Sequence, residues 1–97
     1  TLPSFLYGRH RWYQAQGRFE EALVQYGKAQ EVFVAVYGDV HPHVADLKFN
    51  KALVHKKRGE KDLAKQLLLE CEAICAKVYG ADHSKTAEAA REARACA

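Results

Sequence analysis

Residues 17–46 of this chain recur, in altered form, 42 positions later at residues 59–88. Seven of the thirty aligned positions are identical: Gly17 with Gly59, Ala22 with Ala64, Val36-Tyr37-Gly38 with Val78-Tyr79-Gly80, His41 with His83, and Ala45 with Ala87. Conservative pairs lie between them, such as Glu20 with Asp62, Val32 with Ile74 and Asp46 with Glu88. The matches collect at turn residues and at small or apolar positions, which is what a duplicated supersecondary unit must retain. A period of a few tens of residues marks a repeat architecture, in which each unit buries its apolar face only against its neighbours.

Each copy reads as helical. In the first, Phe19, Ala22, Leu23, Tyr26, Ala29, Phe33, Val36 and Tyr37 form one apolar stripe at α-helical spacing, with Glu20, Glu21, Gln25, Lys28 and Glu31 on the remainder. In the second, Leu63, Ala64, Leu67, Leu68, Cys71, Ile74, Cys75, Val78 and Tyr79 repeat the pattern. Gly38 and Gly80 stand just past these stripes, where a helix ends on a left-handed residue, and Gly17 and Gly59 close the shorter helices before them. Pro42 suits a first helical turn, and Ser84 in the equivalent place is expected to cap with its hydroxyl. The pattern predicts helices near 3–16, 18–37, 42–58, 60–79 and 84–96, short and long in alternation, with no strand. One all-α domain over 1–97 then holds repeat 1 (about 1–40), repeat 2 (about 41–82) and a terminal helix (about 83–97).

Bulk properties narrow the function classes. A chain of 97 residues holds one small domain. No apolar run is long enough for a membrane span. Three cysteines, an odd number, argue against a disulfide framework and fit a reducing, cytoplasmic setting. A net charge of +3 permits acidic partners without demanding nucleic acid. Thr1 falls in mid-pattern, so a piece of a longer protein is expected.

At the level of motifs, Gly17-Arg-Phe-Glu-Glu-Ala22 followed by Tyr26 resembles the turn and second helix of a tetratricopeptide repeat. The segment Tyr37-Gly-Asp-Val-His-Pro-His-Val-Ala45, with Tyr79-Gly-Ala-Asp-His83 as its copy, is similar to the inter-repeat segment of the long, kinesin-light-chain-like class. The resemblance covers nearly the whole chain. It implies a right-handed α-α superhelix of about two and a half repeats, with five antiparallel helices. Four positions depart from the family pattern: Arg9, Lys48 and Lys51 replace apolar residues of the first helices, and Lys61 replaces the aromatic seen at Phe19. Such lysines are expected to cover apolar surface with their stems while their heads reach water.

The resemblance also implies a function: a non-catalytic scaffold or adaptor that binds an extended peptide or a helix of a partner on the concave face. Carried over by position, the groove of the middle repeat includes Asp46, Phe49, Asn50, Leu53, Lys56 and Lys57. Asn50 matches the family asparagine that grips a ligand's backbone, a task suited to a side-chain amide because it both donates and accepts. The first repeat contributes Tyr7, Gly8, Arg11, Gln14 and Ala15, and the third Arg91 and Glu92. Aromatic anchors beside cations suit an acidic partner with bulky apolar residues. A cytoplasmic location with a cytoskeletal association follows from the same resemblance.

Other chemistries are weaker. His41-Pro-His43 offers two imidazoles to a metal, but the copy keeps only His83, which favours a turn role and no metal or cofactor. Cys71 and Cys75, one turn apart on the apolar stripe, read as buried free thiols, whereas Cys96 near the end is expected to be exposed. Ser4 and Ser84 sit in no nucleophile turn, and no Gly-rich phosphate loop is present, so catalysis finds no support. His55-Lys-Lys-Arg58 and Arg9-His-Arg-Trp-Tyr13 make nucleic acid the competing ligand, ranked behind protein because the basic tract is short. The alanine-rich last helix, thinly apolar at Thr86, Ala87, Ala90 and Ala97, leaves self-association open.

Overall fold

The computed structural model describes residues 19–96, which form four α-helices: α1 (Phe19–Tyr37), α2 (Pro42–Lys57), α3 (Lys61–Val78) and α4 (Ser84–Ala95). The expected helix near 3–16 lies outside the described residues, as does Gly17. From the start of α1 at Phe19 to that of α3 at Lys61 is 42 residues, and the same step separates Pro42 of α2 from Ser84 of α4. Each helix packs chiefly on the next in sequence. Contacts fix the directions. Gln30 and Phe33 of α1 meet Lys51 and His43 of α2, and Lys48 and His55 of α2 meet Glu70 and the Glu60 that precedes α3, so both pairs are antiparallel. Asp46 and Lys56 of α2 reach Lys85 and Glu92 of α4, so those two helices run the same way.

Burial follows the helical stripes. Ala22, Tyr26, Ala29 and Phe33 of α1 share one cluster with Val44, Ala45, Leu47 and Val54 of α2, with Cys71, Ile74 and Cys75 of α3, and with Ala89 of α4. A second cluster joins Ala52, Ala64, Leu68, Ala93 and Cys96. Phe49, partly buried, packs against both. Alanines at Ala22, Ala29, Ala52 and Ala64 are fully buried, and a side chain without length lets helix axes approach closely there.

Three expectations about the stripes change. Val36 and Tyr37 close the first stripe in sequence yet are 66% and 46% exposed, and Leu63 is 48% exposed. In α4 the buried face is Thr86, Ala89, Ala93 and Cys96, rather than Ala87 and Ala90. The Thr86 hydroxyl is satisfied there by donating to the Gly80 carbonyl at 2.8 Å.

The turns repeat as closely as the helices. Gly38 and Gly80 take φ of +87° and +105°, and their amides close the preceding helices onto the carbonyls of Val34 and Ala76. The next helix is capped by histidine. His41 Nδ1 accepts from the His43 amide at 3.1 Å, and His83 Nδ1 accepts from the Lys85 amide at the same distance. An accepting Nδ1 places the ring proton on Nε2. The hydroxyl cap expected of Ser84 is therefore replaced by His83, and Ser84 is the first residue of α4. Each cap ring also stacks on the tyrosine that ends the previous helix: Tyr37 on His41 at 4.2 Å between centroids, Tyr79 on His83 at 4.5 Å.

These turns make a stability prediction. His41→Ala, which removes a cap and a stacking partner, should cost about 1–2 kcal/mol in urea unfolding. His41→Asn retains an acceptor at the cap and should lose roughly half as much. Equal losses would show that the ring's hydrogen bond contributes nothing.

Candidate functional site

Among the described residues, helix α2 carries most of those expected at the groove. Asp46, Asn50, Leu53 and Lys57 follow one another at i, i+4, i+7 and i+11, so they share one stripe. Asp46, Asn50 and Leu53 are half-exposed and Lys57 is exposed. Phe49 and Lys56 are set apart from that stripe. Phe49 is committed to packing between the two core clusters, and the Lys56 ammonium lies 3.4 Å from Glu92 of α4. Asp46 also reaches toward α4, with Lys85 at 3.9 Å. Arg91, exposed, and Glu92 lie on α4. Tyr7, Gly8, Arg11, Gln14 and Ala15 fall outside the described residues.

The cations at family-apolar positions turn out to be fixed rather than simply solvated. Lys48 donates to Glu70 of α3 at 2.7 Å, with its own side chain only 18% exposed. Lys51 donates to the Gln30 side-chain oxygen of α1 at 3.2 Å. Burial, then the neighbouring Lys48, pushes the Lys51 ammonium below its usual range, with Glu70 opposing. The hydrogen bond from Lys48 holds the Glu70 carboxyl below the ordinary carboxylate range against its partial burial. At the base of α2, the His55 ring and Arg58 do the same for the partly exposed Glu60. The polar group around Lys48 and Lys51 was legible only as a departure from the apolar pattern; its partners were not.

Nucleophile chemistry is disfavoured by burial. Cys71 and Cys75 are 3% and 4% exposed, and Cys96, expected at the surface, is 5% exposed because it closes the second core cluster under Ala52 and Ala93. Burial, reinforced by the hydrogen bond to Cys75, pushes the Cys71 thiol up to about 12, and burial likewise raises Cys75. A thiol held protonated is a poor nucleophile. His41 and His43 lie 5.0 Å apart by ring centroid, and both pack on Tyr37. Among the described residues, no three His, Cys, Asp or Glu side chains converge as metal ligands, and no helix is long and apolar enough to cross a membrane.

Two measurements follow from these environments. Thiol titration of the native protein should leave Cys71 and Cys75 unmodified at neutral pH, with all three cysteines reacting promptly in denaturant; fast native labelling would contradict the packing. For Glu70, a lowered folded-state pKa means that its contribution is fully present above the ordinary carboxylate range and is lost as pH falls through the lowered value. The stability gap between the natural protein and Glu70→Gln should therefore shrink on acidification, and a gap independent of pH would exclude the ion pair as its source.

The paired antiparallel helices recur at a 42-residue step. The tetratricopeptide repeat profile matches residues 2–77. No curated protein matches the chain. Repeats of this kind generally mediate contacts between proteins and are typically non-catalytic. With helices, step and profile in agreement over most of its length, the chain belongs to the tetratricopeptide repeat family.

Proposed function

We propose that the chain is a non-catalytic adaptor module of the long, kinesin-light-chain-like class. It binds a peptide or helix of a partner protein along α2, on the concave face of a right-handed superhelix that a fifth helix near 3–16 completes. The single observation that carries this reading is the stripe Asp46, Asn50, Leu53 and Lys57, in which a half-exposed amide stands among an acid, an apolar side chain and a cation. The amide can pair with a ligand's backbone in both senses, Leu53 offers apolar contact, and Lys57 attracts an acidic residue. Tyr7 and Arg11 extend the same surface in the first repeat, and Arg91 in the third. Phe49 and Lys56 support the floor and edge of the groove through their contacts with the core and Glu92. A cytoplasmic location fits three free thiols.

The test is selection of displayed peptides against the whole chain, followed by affinity measurement with the best sequence. Asn50→Ala should weaken binding about ten-fold, roughly 1.4 kcal/mol, with no change in melting temperature. Lys57→Glu should weaken acidic peptides and flatten their salt dependence. Unchanged affinity in both variants would overturn the reading. Preferential capture of oligonucleotide, or a mass that rises with concentration and hides the stripe, would replace it with nucleic-acid binding or self-association.

A further inference from the structure

Gly27 stands in the middle of α1 without a conformational reason for being glycine. It is not among the glycines with positive φ, and a Cβ built on it would meet nothing within 4 Å. A glycine inside a helix weakens it relative to alanine, and the aligned residue of the sister helix is Leu69. The space in front of Gly27 is a cleft of about 590 Å³, within the order of 300–1,000 Å³ typical of ligand sites. Val34 and Ala35 supply its apolar wall, Gln30 and Lys51 its polar end, and the exposed Glu31 and Asp39 complete the lining.

Lys51 is the telling member. It is half-buried, and its ammonium has a neutral amide oxygen, that of Gln30, as acceptor. The nearby carboxylate, Glu70, is taken by Lys48 at 2.7 Å. Among the described residues no carboxylate lies within ion-pairing distance of Lys51, and desolvation works against its charge. A cation held at the end of an apolar cleft is complementary to a carboxylate carried on an apolar body. One repeat on, the same two positions are Leu69 and Ala93: the equivalent opening is smaller, about 390 Å³, and the lysine does not recur.

We propose that this cleft is a second docking site, which takes from a partner protein a segment presenting a bulky aliphatic side chain next to a carboxylate. The aliphatic group occupies the space opened by Gly27 against Val34 and Ala35, and the carboxylate meets Lys51. Glu31 and Asp39 favour a basic residue flanking that pair and disfavour a uniformly acidic segment. The site is separate from the α2 stripe, because Lys51 is turned toward α1 through Gln30.

The experiment uses the whole chain labelled with ¹⁵N and two capped tripeptides at millimolar concentration, acetyl-Lys-Leu-Glu-amide and acetyl-Lys-Leu-Gln-amide. The first should give saturable shifts at the amides of Gly27, Val34, Ala35 and Lys51, and the second should bind about ten-fold more weakly. Gly27→Leu should abolish the shifts while raising the melting temperature, since it fills the cleft and improves the helix. Lys51→Met should reduce the first peptide to the affinity of the second. Absent shifts, equal affinities for the two peptides, unchanged binding by Gly27→Leu, or shifts confined to Asn50, Leu53 and Lys57 would each overturn the proposal.

Discussion

Everything in this arrangement hangs on how one helical pair is joined to the next. At each junction a tyrosine ends the long helix, a glycine reverses the chain at positive φ, and an imidazole caps the following short helix while lying flat on that tyrosine. One ring thus serves two helices: its edge satisfies an orphan amide of the new one, and its face covers the end of the old one. The same three residue types recur after 42 positions, so both junctions close the long helix and open the short one in the same way.

The interior adds a second constraint. Buried alanines bring the helices close, and the larger groups, Tyr26, Phe33, Leu47 and Leu68, fill what remains. Lys48 and Lys51 then occupy positions where a stack of this family ordinarily uses apolar residues. They are accommodated because Glu70 and Gln30, on the flanking long helices, receive their ammonium groups. A partly exposed ion pair adds little stability; what these contacts provide is orientation, since a misplaced register would leave half-buried cations without acceptors.

Much of the fold was legible because repetition and helical periodicity are both long-range signals. The four described helices begin and end within about one residue of the positions set by the stripes, glycines and Pro42. What escaped were properties that depend on neighbours in space. Ser84 is a better intrinsic cap than histidine, yet the tyrosine stack selects His83. Cys96 sits near the end of the chain, yet Ala52 and Ala93 form a socket for it. Ala87 and Ala90 cannot be told from Ala89 and Ala93 by composition, because alanine carries almost no periodic contrast. For the candidate surface, Asn50, Leu53 and Lys57 came only from the family resemblance, and the commitment of Phe49 to the core and of Lys56 to Glu92 had no trace in the sequence. The opening at Gly27 has a sequence trace only in its contrast with Leu69.

Phe49 links the two halves of the core. The core is divided into two clusters, and this half-buried ring touches both. In a linear array each unit has its own opening free energy, and the array melts as one only if the terms between neighbours are large. A side chain shared by two clusters is such a term: when either loosens, the ring loses contacts with it and the other is weakened too. The consequence is directional. The first cluster already joins all four helices, so a disturbance at the turn after α3 reaches α1 and α2 directly, and the Phe49 ring passes it on to the second cluster beneath Ala52 and Ala93.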